Sequence, residues 1–274
     1  MIRNVLDDRV ISKFTSFVLT GGEFILHPRY KDILSLLEER KKRYILLSNG
    51  ILADRIIDTV KEFNVKHVSI SLDGTPETNQ NVRGVDNYSS IVRIIDTLRE
   101  DNMAVNIGYT VSPWNTRKDL EYVMQFCTDH GASLTAGYYC NVEYYDAKGQ
   151  MPELYSADDL LSDRYHALHS LWASDCLNMP CLSIALKPVI RPNGDVELCE
   201  PKQIKLGNLY QETLSKIWNG KKARSLQRQY KNCNACWYDS QRQCDIDAIA
   251  TMRRFIPASL LDRIFGKYDW NKIC

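Results

Sequence analysis

The sequence has no long apolar run. Nothing in its 274 residues approaches the roughly 20 consecutive apolar residues that a membrane-spanning helix needs. The opening stretch, MIRNVLDDRV, lacks the apolar core of a signal peptide. Charge bias is absent too: 35 basic and 34 acidic residues leave a net charge of +1, with no acidic or basic tail. Electrostatics therefore give no argument for a nucleic-acid or membrane partner. Together these absences predict a soluble, cytoplasmic protein. There is no internal repeat and no low-complexity segment. Cysteine is missing from the first part of the chain: none precedes Cys127, although the chain has nine. This sequence is too long and too well patterned to depend on disulfides. In a reducing cytosol, clustered cysteines are metal ligands or catalytic groups more often than disulfides.

With 44% hydrophobic residues, the chain can bury the core of one large domain plus a small one. From about residue 16 to 140, short apolar runs alternate with helical periodicity. The runs are SFVLT (16–20), YILLS (44–48), HVSISL (67–72), VNIGYTV (105–111) and SLTAGYY (133–139). Between them, Ile33, Leu36 and Leu37 mark one amphipathic helix, and Leu52, Ile56, Val60 and Phe63 the next. Ile91, Ile94, Ile95 and Leu98 mark a third, and Leu120, Val123, Met124 and Cys127 a fourth. Such a series predicts a parallel sheet with right-handed crossovers. Periodicity does not separate a barrel from a doubly wound sheet. Polar and glycine clusters follow the strands at Thr20-Gly21-Gly22-Glu23, Ser48-Asn49-Gly50 and Asp73-Gly74-Thr75. Parallel α/β folds bind ligands at that end.

The alternation stops after residue 140. Residues 141–180 read as a connector, with a helix expected to start at Ser156 as N-cap and Asp159 three residues on. From Cys181, SIALKPVI and DVELCE read as two strands around a turn at Arg191-Pro192-Asn193-Gly194. A helix is expected near Thr213–Trp218, cysteine-rich turns over 233–244, and a C-terminal helix over about 245–265.

Cys233-Asn-Ala-Cys236 is a CxxC, whose tight turn lets two thiolates meet one metal. Alone it fits redox pairs, zinc sites and iron–sulfur sites. Cys199, five residues after Gly194, and Cys181 flank the expected hairpin and would complete a set of four thiolates. That set suits zinc or a [4Fe–4S] cluster equally on ligand count. Cys244 and Cys176 are nearby spares, whereas Cys127, Cys140 and Cys274 read as packing or exposed thiols.

In their order along the chain, these stretches resemble the radical S-adenosylmethionine (SAM) enzymes that carry a SPASM or twitch domain. VLTGGEFILHP resembles the family's second strand with its GGE motif, ILLSNGILAD the third, and VSISLDGTPETNQNVRG the fourth. RPNGDVELC, KLGNLYQETLSKIWNG and CNAC resemble the accessory domain. The likeness implies a partial (β/α)6 TIM-like barrel lacking its first strand over 1–140, the connector over 141–180, and a twitch/SPASM-like iron–sulfur domain over 181–274. It also implies roles. Gly21 and Gly22 would let the backbone approach the methionine moiety of SAM. Glu23 would accept from its amino group, with Ser48 and Asn49 where the third strand meets the cofactor. Ser71 and Asp73 would stand near the ribose, and Arg83 would pair with the carboxylate. Cys181, Cys199, Cys233 and Cys236 would hold one auxiliary [4Fe–4S] cluster that relays electrons or shapes the substrate pocket. An external electron donor is implied, and a peptide or small-molecule substrate that loses a hydrogen atom to a 5′-deoxyadenosyl radical. The sequence departs from the family in one respect: it contains no CxxxCxxC, the motif that holds the radical cluster. That motif and the first strand would lie upstream, so the sequence is expected to be a fragment or to start at an internal methionine. The rival expectations are a natural variant that works as a binding partner, and a loop supplied by another chain. Tyr138, Tyr139, Tyr144 and Tyr145 are candidates for the substrate pocket.

Overall fold

The computed structural model describes residues 1–63, 65–140, 154–157, 159–161 and 163–273. These form two compact units, Ile2–Gly137 and Tyr138–Cys274 with Met1.

The first unit is built on five strands: β1 (Ser16–Leu19), β2 (Arg43–Ser48), β3 (Val68–Ser71), β4 (Val105–Val111) and β5 (Ser133–Tyr138). They lie side by side in chain order. Val18 pairs with Ile45, Ser48 with Ile70 and Ile70 with Ile107, all in parallel register. Sequential order distinguishes this sheet from a doubly wound one, whose strand order reverses at a switch point. Right-handed crossovers between neighbours all put their helices on one face, which is how a barrel wall is made. The crossover helices are α2 (Tyr30–Glu39), α3 (Ala53–Glu62), α5 (Tyr88–Glu100) and α6 (Arg117–His130), preceded by the short α1 (Ile2–Leu6). Their apolar stripes are buried as periodicity predicts: Leu34 and Leu37, Ile56 and Val60, Ile91 and Ile94, Leu120 and Val123. On β2, β3 and β4 the inner positions Leu46, Ile70 and Ile107 are fully covered. One further helix, α4 (Pro76–Arg83), sits between β3 and α5. Thr75 caps it, accepting from Thr78 N, with Pro76 in the first turn and Gly84 in a left-handed conformation at its end.

In the second unit, α7 (Arg164–Ala173) begins later than the sequence suggested. Residues 154–157 are not helical, and Asp163 rather than Ser156 supplies the cap, its carboxylate accepting from His166 N. SIAL is one helical turn, α8 (Ser183–Leu186), not a strand, and β6 is only Val189–Ile190. The reason is tertiary. Asp245 Oδ1 accepts from Leu182 N at 2.7 Å, so a distant carboxylate satisfies the start of that turn. The Arg191–Gly194 turn forms as expected, with Gly194 N donating to Arg191 O and Gly194 at φ +82°. It joins β6 to β7 (Asp195–Glu197), which pairs antiparallel with β8 (Lys205–Asn208). Then come α9 (Leu214–Asn219), capped by Thr213, and α10 (Lys221–Gln229), which the sequence reading missed. The last helices are α11 (Asp239–Arg253) and α12 (Ala258–Phe265). Part of the stretch read as cysteine-rich turns is therefore helix. The expected single C-terminal helix is two, broken before Pro257. Among the described residues no helix is long and apolar enough to cross a membrane.

Candidate functional site

Two groups of side chains carry chemistry, one in each unit. The first lies at the C-terminal ends of β1–β3. Glu23 follows β1, and its Oε2 accepts from Ser48 Oγ at 3.0 Å and from Asn49 N at 2.8 Å, both at the end of β2. Its other oxygen, Oε1, is buried and makes no hydrogen bond. Burial pushes the Glu23 carboxyl above its usual range, against the hydrogen bonds that favour the anion. A buried acceptor left unmade is costly, so this oxygen marks where a donor belongs. Beside it the chain turns through Gly21 at φ +127°, and a Cβ added at Gly21 or Gly22 would meet nothing within 4 Å. The glycine edge is open, as a close-lying ligand requires.

Asp73 follows β3 and is almost fully buried, with Oδ1 accepting from Thr110 N at 3.1 Å and Oδ2 paired with Arg83. Burial pushes its carboxyl up, while the Arg83 guanidinium and the Thr110 N–H oppose this. The structure thus places Arg83 against Asp73, with its Nε buried and making no hydrogen bond. Ser71 ends β3 and is half-buried.

Sequence reasoning missed the residues that tie these groups together. Asn87 Nδ2 donates to Asn49 O at 2.6 Å, Asn79 Nδ2 to Asn87 Oδ1 at 2.7 Å, and Asp73 N to Asn79 Oδ1 at 3.0 Å. A chain of amides therefore runs from the Glu23 loop to the Asp73–Arg83 pair. Asn79 and Asn87 are fully buried. Their signal was faint, because an asparagine on a polar helix reads as a solvated side chain. Gly74 is fixed by packing: at φ +149°, a Cβ there would stand 2.6 Å from Asp119 Oδ1.

The second group is the cysteine site. Cys181 N donates to Cys233 O at 2.8 Å, which ties the segment before α8 to the CxxC loop. Burial pushes the Cys181 and Cys199 thiols each up to about 11. Cys199 feels the charge of Cys236 and Cys233, and Cys181 that of Cys236. A fifth thiol stands among them. Cys140, read from the sequence as packing, hydrogen-bonds to Cys236; that contact pushes its own thiol up and holds Cys236 below the usual thiol range. Cys127 does pack, on the buried face of α6. Cys176 and Cys244 are exposed, the latter on α11, and Cys274 lies outside the described residues. Among the described residues no three His, Cys, Asp or Glu side chains stand at metal-holding spacing. The donors nevertheless fit an iron–sulfur cluster in kind, being thiols.

The loop carrying the CxxC is braced by one cation. Arg242 on α11 is fully buried; its Nε donates to Cys236 O at 2.8 Å, its Nη2 to Asn234 Oδ1 at 3.1 Å and its Nη1 to Met179 O. Asp245, one turn on, neutralises it at 3.0 Å and reaches Leu182 N. The guanidinium also lies over the Trp237 ring, 5.1 Å from its centroid. Of the tyrosines considered for a substrate pocket, Tyr138 is buried and stacked on His169, ring centroids 3.7 Å apart. Tyr139 is half-buried, and Tyr144 and Tyr145 lie outside the described residues.

Comparison with known proteins names the two units. Residues 1–127 match the radical SAM superfamily, and residues 181–237 match SPASM, an iron–sulfur cluster-binding domain. The chain thus carries a radical SAM match over just under half its length and a SPASM match in its second part. Iron–sulfur clusters and SAM are the cofactors these two domains imply. Among curated relatives, the chain is 26% identical over 115 residues to the Fe-coproporphyrin III synthase of Methanosarcina barkeri, covering 41% of this chain and 29% of that protein. It is 23% identical over 236 residues to the sporulation killing factor maturation protein SkfB of Bacillus subtilis, covering 78% and 56%. The solved structure of native anSMEcpe with bound AdoMet and Cp18Cys peptide superposes with a TM-score of 0.60 at 19% identity, covering 82% of this chain and 72% of that one. That likeness is one of fold. The chain spans about half the length, or less, of the curated relatives it matches.

Proposed function

We propose that this chain serves a radical SAM reaction on a peptide. In this reading the first unit holds SAM, and Cys181, Cys199, Cys233 and Cys236 hold one auxiliary [4Fe–4S] cluster. The observation that carries it is the buried, unbonded Oε1 of Glu23 beside an open glycine turn. The ammonium of an amino-acid moiety is the donor that oxygen needs. Gly21 and Gly22 give that moiety room. Ser48 and Asn49 fix the Glu23 carboxylate by taking its other oxygen. Arg83 offers its unbonded Nε to the carboxylate of the same moiety, and Asp73 holds the guanidinium in place. Ser71 faces the ribose. When bound beside a reduced cluster, SAM supplies the one-electron chemistry that removes a hydrogen atom from substrate. An external donor supplies the electron.

SkfB is named as a maturation protein, and the anSMEcpe structure holds a peptide. Both favour a peptide over a free metabolite. Titration calorimetry with SAM tests the reading directly: the chain binds, and Glu23→Gln binds about 10–100-fold more weakly, the worth of one hydrogen bond to a charged group. Equal affinities would overturn the assignment. Iron and sulfide analysis after anaerobic reconstitution tests the cysteine site, and stoichiometric zinc without iron would end the cluster reading.

A further inference from the structure

The four cysteines assigned to the cluster leave Cys140 without a role, yet Cys140 is the thiol in hydrogen-bond contact with one of them. The contact joins positions remote in sequence: Cys140 lies just past β5, and Cys236 closes the CxxC before α11. Both residues are half-buried, whereas Cys181 and Cys199 are buried. Cys236 itself cannot move far, because Arg242 Nε holds its carbonyl and Tyr165 OH, at 2.8 Å, holds the carbonyl of Trp237 next to it. Two thiols in hydrogen-bond contact on a braced loop meet the first requirement of a disulfide, sulfurs that face each other.

We propose that Cys140 and Cys236 form a reversible disulfide whenever the cluster is absent, making Cys140 the residue that closes and protects the empty site. The closing of the site rests on the proposed role of Cys236 as a cluster ligand; the disulfide itself does not. The oxidant is a low-molecular-weight disulfide of the glutathione class. The Cys236 thiolate attacks one sulfur of that disulfide and expels a thiolate. Cys140 then attacks the Cys236 sulfur of the mixed disulfide and expels the second one. Its proton goes to one departing thiolate and the proton that Cys236 released on ionising goes to the other, so two cysteine sulfurs are oxidised and one small disulfide is reduced to two thiols. Bound cluster iron would occupy Cys236 and block the exchange. Reduction by a dithiol reopens the site. Without Cys140, Cys236 would stall as a mixed disulfide.

The test uses the full chain, cluster-free, incubated with glutathione disulfide and mapped by mass spectrometry. The expected product links the Cys140 peptide to Cys236, while Cys140→Ser accumulates glutathione on Cys236. Cys140→Ala is the second variant, should the serine perturb folding. A Cys236 that stays glutathionylated in wild type, or pairs with Cys181, Cys199 or Cys233, overturns the proposal. Cobalt(II) is the separate probe of the site: reduced wild type should show thiolate–cobalt charge-transfer absorbance, and the oxidised form should lose most of it until dithiothreitol is added. Full absorbance in the oxidised protein overturns the closing role. Absence of cobalt binding by the reduced protein would instead count against the metal-site reading and leave the peptide map to judge the disulfide.

Discussion

Replacing Arg242 by Met probes how the second unit is held. The guanidinium has no solvent exposure, and neither does the Asp245 carboxylate it neutralises. Met fills most of the volume but leaves that carboxylate buried and uncompensated. Breaking a buried pair from one side costs about 3–5 kcal/mol. The carbonyls of Cys236 and Met179 lose their donor as well, so the upper end is expected. At about 2–4 °C per kcal/mol for a domain of this size, that is a fall in Tm of roughly 10 °C or more. Four of the five tryptophans, Trp172, Trp218, Trp237 and Trp270, lie in this unit, so urea unfolding followed by tryptophan fluorescence reports it. Replacing both partners, Arg242→Met with Asp245→Leu, removes the stranded charge but still leaves Leu182 N and the carbonyls of Cys236 and Met179 without these partners, each worth about 1–3 kcal/mol. The pH dependence has a definite sign. Burial raises the Asp245 carboxyl, and Arg242 opposes that rise. Without Arg242 it rises further, and a carboxyl raised in the folded state gains stability as pH falls through that value. The deficit of the single variant should therefore shrink from pH 8 to pH 5. A single variant within 1 kcal/mol of wild type, or a deficit that grows on acidification, would refute the bracing role.

Burial also raises Glu23, so its ionised form destabilises the fold at neutral pH and protonation relieves this as pH falls. Glu23→Gln should flatten that part of the stability–pH curve, measured by thermal unfolding, while weakening SAM binding. Gly74→Ala meets Asp119 Oδ1 and Thr78 at a φ of +149° and should cost about 1–3 kcal/mol or more in urea unfolding. Cys181→Ser should lower the iron content of the reconstituted chain, with the tryptophan-reported fold retained in the metal-free form.

The first unit was legible because its elements obey two clean periods. Leu46, Ile70 and Ile107 alternate on strands, and Ile91, Ile94, Ile95 and Leu98 keep one helical face, so local pattern and tertiary burial agree. The second unit was less so, because long-range polar contacts override local propensity. SIAL carries β-branched and apolar residues yet turns helical under Asp245. The start of α11 hid because Gln241, Arg242 and Asp245 are polar residues on its buried face. An arginine and an aspartate three apart on a helix read as a surface pair. Nothing local to Cys140 foretold a partner so distant in sequence. The motifs placed Glu23, Asp73 and Arg83 at strand ends, but not the asparagines between them.

Those asparagines carry a prediction of their own. Asn79 uses both ends of its amide: Oδ1 accepts from Asp73 N and Nδ2 donates to Asn87 Oδ1. Asp is nearly isosteric and keeps the acceptor, but it turns the donor into a second acceptor. In Asn79→Asp a carboxylate oxygen then faces the Asn87 Oδ1 inside a fully buried site. Asn87 relieves this only by rotating its amide, which takes Nδ2 away from Asn49 O and loosens the backbone whose N–H fixes Glu23. The loss therefore appears twice: in stability, by about 1–3 kcal/mol for an unmet buried group, and in SAM affinity at a residue that makes no contact with the proposed ligand. Asn79→Ser loses both amide bonds but adds no charge, and should retain more of both. If Asn79→Asp lowers stability but leaves SAM affinity at the wild-type value, the amides only hold the fold and do not set the position of Glu23.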